Sequence, residues 1–340
     1  MLVLVATGNY FGILGSVVGY PSTLSGDVVV TEAGASAALT HTSSRLPAGT
    51  TAALRQLPGV AAVRPLYGRL VWLRLHDRQA LVFLVEVDGD DAFGAPVRVV
   101  AGHGRPQLNE ILVDRVLAHD LGVGVGDDIP LGMGALRVGG ITDGGNAFLA
   151  TYAFVHQGVL LLGGTQQPAL AFVDVRDGAD PAALAGQISA RAGVTAYPRA
   201  RFLEENCALT RQVVLPLILI LVVLSAVVGG SIVALTLYAA AVERREEYGL
   251  LKALGLPRRM VLGVVVVESG IATAGGAAAG IVAGLLLAAG IAVFQPRFVT
   301  VVPTWLPPAI VAGAIAVGLL AALSPVRAVA RVDPGLVFRV

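Results

Sequence analysis

The hydrophobic pattern divides the chain into long uncharged runs and one long stretch of short, mixed signals. Residues 213–242 carry no charge over thirty consecutive positions. A helix needs about 20 apolar residues to cross the hydrocarbon core of a bilayer, so this run predicts a membrane helix that also projects beyond it. A second run, 261–294, is broken only by Glu268, and a third, 306–323, ends at Ser324-Pro325. Residues 1–20 are also uncharged, but include Asn9 and the glycines Gly8, Gly12 and Gly15. A signal peptide normally opens with basic residues, and this segment has none. It reads as a first membrane helix truncated at its cytoplasmic start, with a cleaved signal as the alternative.

Between the first and second runs the period changes. Residues 27–30, 70–75, 80–87, 136–141 and 170–175 read as strands, and 50–57, 114–121 and 180–191 as helices. Asp88-Gly89, Gly126-Asp127 and Asp143-Gly144 mark turns. This length suffices for a globular core in one or two lobes, and the class is α+β with mixed sheets. Residues 201–209 extend as a helix into the 213–242 run, giving a stalk. The expected fold is therefore a polytopic α-helical membrane protein with four transmembrane helices and an inserted α+β extracytoplasmic domain. Its parts are a first helix over 1–20, the inserted domain over 21–212, and a helical domain over 213–340. The last contains spans 213–242, 261–294 and 306–323 and a cytoplasmic segment 243–260.

Composition supports a membrane setting. Of 340 residues 55% are hydrophobic and 14% charged, against about 25% charged in ordinary soluble domains. Residues 213–340 hold nine Lys/Arg and five acids, so they are net positive, while the remainder is net negative. Lys/Arg placement sets orientation. Residues 243–260 carry five such residues and the tail after Leu323 three, whereas 295–305 carry only Arg297. The first two are thus expected in the cytoplasm, and 295–305 and 21–212 outside. There is no dense basic stripe of the nucleic-acid-binding kind.

Catalytic and cofactor signals are weak. His41, His76, His103, His119 and His156 lie far apart, with no metal-type spacing, and no serine sits in a Gly-x-Ser-x-Gly turn. Cys207 is the only cysteine, which excludes an intrachain disulfide or a Cys-x-x-Cys site. Gly122-Val-Gly-Val-Gly126 follows a helix and runs into Asp127-Asp128, so it reads as a glycine turn into a strand; the two acids would repel phosphate. A Walker A motif needs lysine after its second glycine, and the only lysine, Lys252, lies between Leu251 and Ala253. The chain is expected to be non-enzymatic and to hold no catalytic residue, metal or cofactor.

Two stretches carry a family resemblance. Residues 243–260 read Glu243-Arg-Arg-Glu-Glu-Tyr-Gly-Leu-Leu-Lys-Ala-Leu-Gly-Leu-Pro-Arg-Arg-Met260. This resembles the signature of the FtsX-like permease domain, with Arg258-Arg259 as its basic pair and Glu268 as the glutamate of the following helix. The ending Pro325, Arg327, Arg331, Asp333-Pro334 is similar to that family's usual tail. Upstream, Asn109-Glu-Ile-Leu-Val-Asp114, Ala118 and Leu121-Gly-Val-Gly-Val-Gly-Asp127 resemble the MacB-like core domain. The departure is at the start of the first helix. The resemblance implies the permease subunit of a type VII ABC transporter in a bacterial inner or plasma membrane. It implies four membrane helices, a homodimer or paired permease, an extracytoplasmic adaptor, and a separate ATPase that binds the ATP. It further implies export or extraction driven through mechanotransmission. The alternative on the same membrane core is a signalling scaffold that activates an external partner such as a cell-wall hydrolase.

Three groups of residues stand out as candidate sites. Tyr248, Leu250, Leu251 and Leu254, flanked by Glu246, Glu247 and Lys252, give a membrane-proximal helix with an apolar surface suited to docking in a groove of the ATPase. The competing reading is a helix lying on lipid headgroups. Glu268 sits about 12 Å into its helix at 1.5 Å per residue; it is a proton relay, an interhelical lock or, as the favoured reading, a structural hydrogen bond. Ala272, Gly276, Gly280, Gly284 and Ala288 recur every four residues and form a small-residue stripe for helix packing.

Overall fold

The computed structural model describes residues 1–87, 93–96, 98–132, 134–159, 167–191, 193–244, 247 and 257–321. They form two compact units. One holds Met1–Phe11, Val214–Phe294 and the chain from Thr300 onward; the other holds Gly12–Val213 and Gln295–Val299.

The helical unit draws on α1 (Leu2–Thr23), α5 (Arg199–Glu243), α6 (Arg258–Phe294) and α7 (Leu306–Ala321). Their ends follow local chemistry. Helix α6 stops at Phe294, ahead of Gln295-Pro296, because proline disfavours helical backbone in the residue before it. Helix α7 places Pro307 and Pro308 in its first turn, where the missing N–H costs nothing. Among the described residues three segments are long and apolar enough to cross a bilayer: Leu2–Thr23, Thr210–Ala240 and Ser269–Phe294. The apolar part of the last helix, Leu306–Leu320, is shorter. Leu235, Ile271 and Leu286 are each 70% exposed. In water such a surface would be an aggregation liability; in lipid it matches its solvent.

Close approaches within this unit occur at glycines. A side chain at Gly284 would meet Leu4 Cδ2 at 3.2 Å, and one at Gly280 would meet the Met1 nitrogen at 3.2 Å. Gly230 faces Val317, and Gly318 faces Thr273. Gly8 of α1 lies against Thr300, and its carbonyl accepts from the Val301 N–H at 3.0 Å. Phe11 meets Trp305 edge to face, with ring centroids 5.8 Å apart.

The folded unit is α+β. Its small sheet runs β11-β1-β10-β2, with β1 Val28–Glu32, β2 Val60–Leu66, β10 Leu170–Val175 and β11 Val194–Pro198, antiparallel throughout. The large sheet has seven strands in the order β3-β4-β9-β6-β8-β5, with β7 also paired to β8. They are β3 Gly68–Leu75, β4 Arg78–Val87, β5 Arg98–Gly102, β6 Glu110–Asp114, β7 Asp128–Leu131, β8 Gly134–Asp143 and β9 Thr151–His156. It is mixed: β4 with β9 and β6 with β8 are parallel pairs.

Three apolar cores follow from strand alternation. Successive side chains point to opposite faces, so Phe83, Val85 and Val87 of β4 join Val29, Phe172, Tyr152 and Phe154 in a core that draws on both sheets. Val82 and Leu84 join a second core with Leu117 and Leu121 of α3 (Arg115–Leu121). Val28 and Val30 join a third with Leu54 of α2 (Thr50–Arg55) and Leu184 and Ile188 of α4 (Pro181–Ser189). Central strands covered on both faces read as unbroken apolar runs, which is why 80–87 is so apolar.

The five strands and three helices expected in this region all form, with ends shifted by at most a few residues. β2, β5, β6, β7, β9 and β11 come in addition. The glycine run caps α3 with Gly122 at φ 72, and Gly126 turns the chain into β7 at φ 100. The stalk is one helix with α5, which begins at Arg199. By its contacts Gln295–Val299 clusters with the folded unit, as does the second half of α1 from Gly12, and Arg297 is bonded into it.

Candidate functional site at the helix-to-domain connections

The chain passes between the two units within α1, after Phe11, within α5, after Val213, and on both sides of Gln295–Val299. Within the folded unit each of these segments is held by specific polar contacts.

Arg199, the first residue of α5, grips the end of α1. Its guanidinium donates to the carbonyl oxygens of Leu24, Ser22 and Gly26, and its N–H donates to Asp27 O at 2.9 Å. The last carbonyls of a helix lack intrahelical partners, and a cation there also suits the helix dipole. One arginine thus caps α1 while opening α5. Two turns on, the buried Asn206 donates from Nδ2 to Phe202 O at 2.7 Å and accepts from the Leu39 N–H at 3.1 Å. Phe202 is fully buried in the core shared by both sheets. Pro216 then lies inside α5, just beyond the unit boundary at Val213. It removes one backbone hydrogen bond from the helix.

The second connection is Gln295–Val299. Arg297 donates to Asp120 Oδ2 and to the carbonyl of Phe148. Its own carbonyl accepts from Asn146 Nδ2 at 2.9 Å. The rings of Phe148 and Phe298 pack edge to face at 6.1 Å. The receiving turn is tightly folded: Asn146 Oδ1 accepts from the Phe148 N–H at 3.1 Å, and Phe148 has φ 65. That conformation is uncommon for a bulky residue and turns the Phe148 carbonyl to Arg297. Asp120, in the last turn of α3, has its backbone carbonyl bonded by Arg78 Nη1 at 3.3 Å.

Asp114 anchors the same region from the other end of α3. It is 1% exposed, and its carboxylate accepts from the N–H groups of Val116 and Gly145, each at 2.8 Å. Burial pushes its carboxyl above the ordinary value, opposed by those two N–H groups and by Arg115 and Arg297. The α3 cap is thereby tied to the turn that receives Arg297.

The residues singled out from the sequence are distributed differently. Of the 243–260 segment, Glu246, Tyr248, Leu250, Leu251, Lys252 and Leu254 lie outside the described residues, and Glu247 is exposed. Glu268 is on α6, with its side chain outside the described part. In the stripe, Gly280 and Gly284 face Met1 and Leu4, and Ala288 is 8% exposed. Ala272 and Gly276 are open. His41, His76, His103 and His119 are exposed, and no group of His, Cys, Asp or Glu suited to a metal occurs among the described residues. Arg199, Asp120, Asn146 and Phe148 escaped the sequence reading, which used Arg297 only as a marker of orientation.

Apolar helices on both sides of an α+β domain inserted after the first of them define a polytopic membrane protein. The MacB-like periplasmic core domain matches residues 2–191, and the C-terminal domain of FtsX-like permeases matches residues 219–334. The chain belongs to the FtsX-like, MacB-like family of ABC transporter permeases. It is 28% identical over 259 residues to uncharacterized ABC transporter permeases of Mycobacterium tuberculosis and Mycobacterium bovis, covering 73% of this chain and 68% of each relative. An uncharacterized ABC transporter permease of Methanocaldococcus jannaschii is 32% identical over 139 residues, 38% of this chain and 35% of that one. Among solved structures, the periplasmic region of MacB from Actinobacillus actinomycetemcomitans aligns at 10% identity with a TM-score of 0.37, over 52% of this chain and 90% of that one. The extracellular domain of the noncanonic ABC-type transporter YknZ aligns at 13% identity and 0.36, over 49% and 99%.

Proposed function

We propose that this chain is the non-catalytic permease subunit of an ABC transporter, coupling ATP hydrolysis by a separate ATPase to movement of its α+β domain for export or extraction of a substrate. The observation that supports the reading is that the end of α1, the start of α5 and Gln295–Val299, all within the α+β unit, are held there by defined bonds to Arg199 and Arg297. Each of these segments is continuous with an apolar helix and is fixed to the α+β unit by its own bonds. The family membership supplies the transporter context.

In this reading four helices cross the membrane. The basic 243–260 segment and tail face the cytoplasm, and the α+β domain faces outward. Two permease copies pair around the ATPase, which docks on Tyr248, Leu250, Leu251 and Leu254. Glu268 serves as a structural hydrogen-bonding group, and the small-residue stripe serves helix packing.

Two measurements test orientation and assignment. In a Cys207→Ser background, Asp177→Cys is expected to react with an impermeant thiol reagent on intact cells, while Arg258→Cys reacts only after lysis. The purified chain is expected to show no ATP hydrolysis, and its complex with the cognate ATPase to show it. Reversed labelling, or turnover by the chain alone at the rate of the complex, contradicts the reading.

A further inference from the structure

We infer that Arg297 is a positioning residue for coupling: it latches the loop between α6 and α7 onto the large-sheet part of the α+β unit, so that displacement of those helices is delivered to α3 and the 146–150 turn. The inference rests on the coupling role proposed above and adds a specific route to it.

The loop is too well bonded to be a passive connector. Its first five residues, Gln295–Val299, pack with the folded unit, while Phe294 before them and the residues from Thr300 onward pack with the helical unit. Arg297 is the only Lys/Arg of residues 295–305, yet its side chain is only 23% exposed. An arginine that served only to mark orientation or to keep a loop soluble would stay in water. Here its planar fork bridges two acceptors from different elements, the Asp120 carboxylate of α3 and the Phe148 carbonyl. Such geometry suits arginine and is poorly reproduced by lysine, a compact charge on a flexible stem.

The backbone completes the latch. Asn146 is 6% exposed and spans the contact, donating to the Arg297 carbonyl and accepting from the Phe148 N–H. The loop is thus held by its main chain as well as by its side chain. On the far side of the same turn, Gly145 donates to Asp114, the cap of α3. A pull on Arg297 therefore loads both ends of α3, through Asp120 at one and through Gly145 and Asp114 at the other. Beyond the loop, in the helical unit, the Val301 N–H is bonded to Gly8 of α1, so the chain is pinned again within four residues.

The test uses the full chain with its cognate ATPase in lipid nanodiscs. Amide hydrogen exchange over α3 and residues 144–151 is compared without nucleotide and with ATP trapped in the ATPase, alongside the rate of ATP hydrolysis. Wild type is expected to show a nucleotide-dependent change of at least about fivefold in exchange, the lower end of ordinary coupling between sites. Arg297→Ala is expected to lose that dependence while the complex still assembles and hydrolyses ATP. Arg297→Lys should recover part of it. Asp120→Asn, which keeps the side-chain shape, should weaken it in the same direction. If wild type responds and Arg297→Ala responds equally, the latch is overturned and the coupling role stands. If wild type does not respond, the coupling role fails and the latch fails with it.

Discussion

Phe172→Ala should lower the stability of the α+β unit by about 3–5 kcal/mol, the usual cost of deleting a buried aromatic ring. Phe172 is fully buried on β10, in the core that draws on both sheets. Its ring meets Phe93 at 5.4 Å and Phe202 of α5 at 5.6 Å, both edge to face. Such pairs add about 0.5–1.5 kcal/mol each beyond simple burial. The site has little freedom to collapse, because the backbone of Gly26 lies against it: a side chain there would come within 2.9 Å of Phe172 Cβ. For a domain of this size the loss corresponds to a fall in Tm of roughly 6–20 °C, at about 2–4 °C per kcal/mol. Thermal melting of the full chain in detergent, followed by near-ultraviolet circular dichroism, measures it. Phe172→Leu should cost much less, and a fall of only a degree or two in the alanine variant would show that the two sheets do not share this core.

The second large effect concerns the ATPase. In a helical 243–260 segment Tyr248 and Leu251, three residues apart, lie on one face. If they anchor the docking, each truncation costs about 2 kcal/mol or more. Tyr248→Ala with Leu251→Ala should then weaken the complex by roughly a thousandfold, at tenfold per 1.4 kcal/mol. Co-purification of the ATPase from membranes reads this directly, with insertion of the variant as the control. Lys252→Ala should change little, since lysine is depleted at interface cores. A double variant that inserts and still holds the ATPase like wild type would make the segment a lipid-surface helix and move the docking site elsewhere, first to the Arg327–Val340 tail.

What was legible in the sequence depended on how locally each feature is specified. The apolar helices are set by uninterrupted runs, and their ends by nearby prolines. The strands 28–32, 78–87 and 170–175 were readable because both faces are buried and the runs are almost wholly apolar. β5 was not, because all five of its residues are exposed and carry no alternation. β9 is buried on both faces, but Thr151-Tyr-Ala-Phe-Val-His156 mixes polar and apolar residues, and its partners β4 and β6 lie far off in sequence. β11 is short and ends at Pro198.

The candidate site splits in the same way. Tyr248, Leu251 and their neighbours were found from local spacing and charge, joined to a family resemblance. Arg297 could not be, because its partners Asn146, Phe148 and Asp120 lie 151, 149 and 177 residues away in the chain. Arg199 and the carbonyls at and just beyond the end of α1 are similarly remote, at 173–177 residues. No periodicity encodes such pairings; only the closed fold brings them together.

The most direct measurement of the central claim is the separation between the two units as the ATPase binds nucleotide. Spin labels at Asp177 in the α+β unit and Val282 in α6 are both at exposed positions, and a complex carrying one doubly labelled copy reports a single distance. This distance distribution is expected to shift when ATP is trapped in a hydrolysis-deficient ATPase, and to return when nucleotide is removed. Identical distributions in the two states, with ATP demonstrably bound, would contradict that claim.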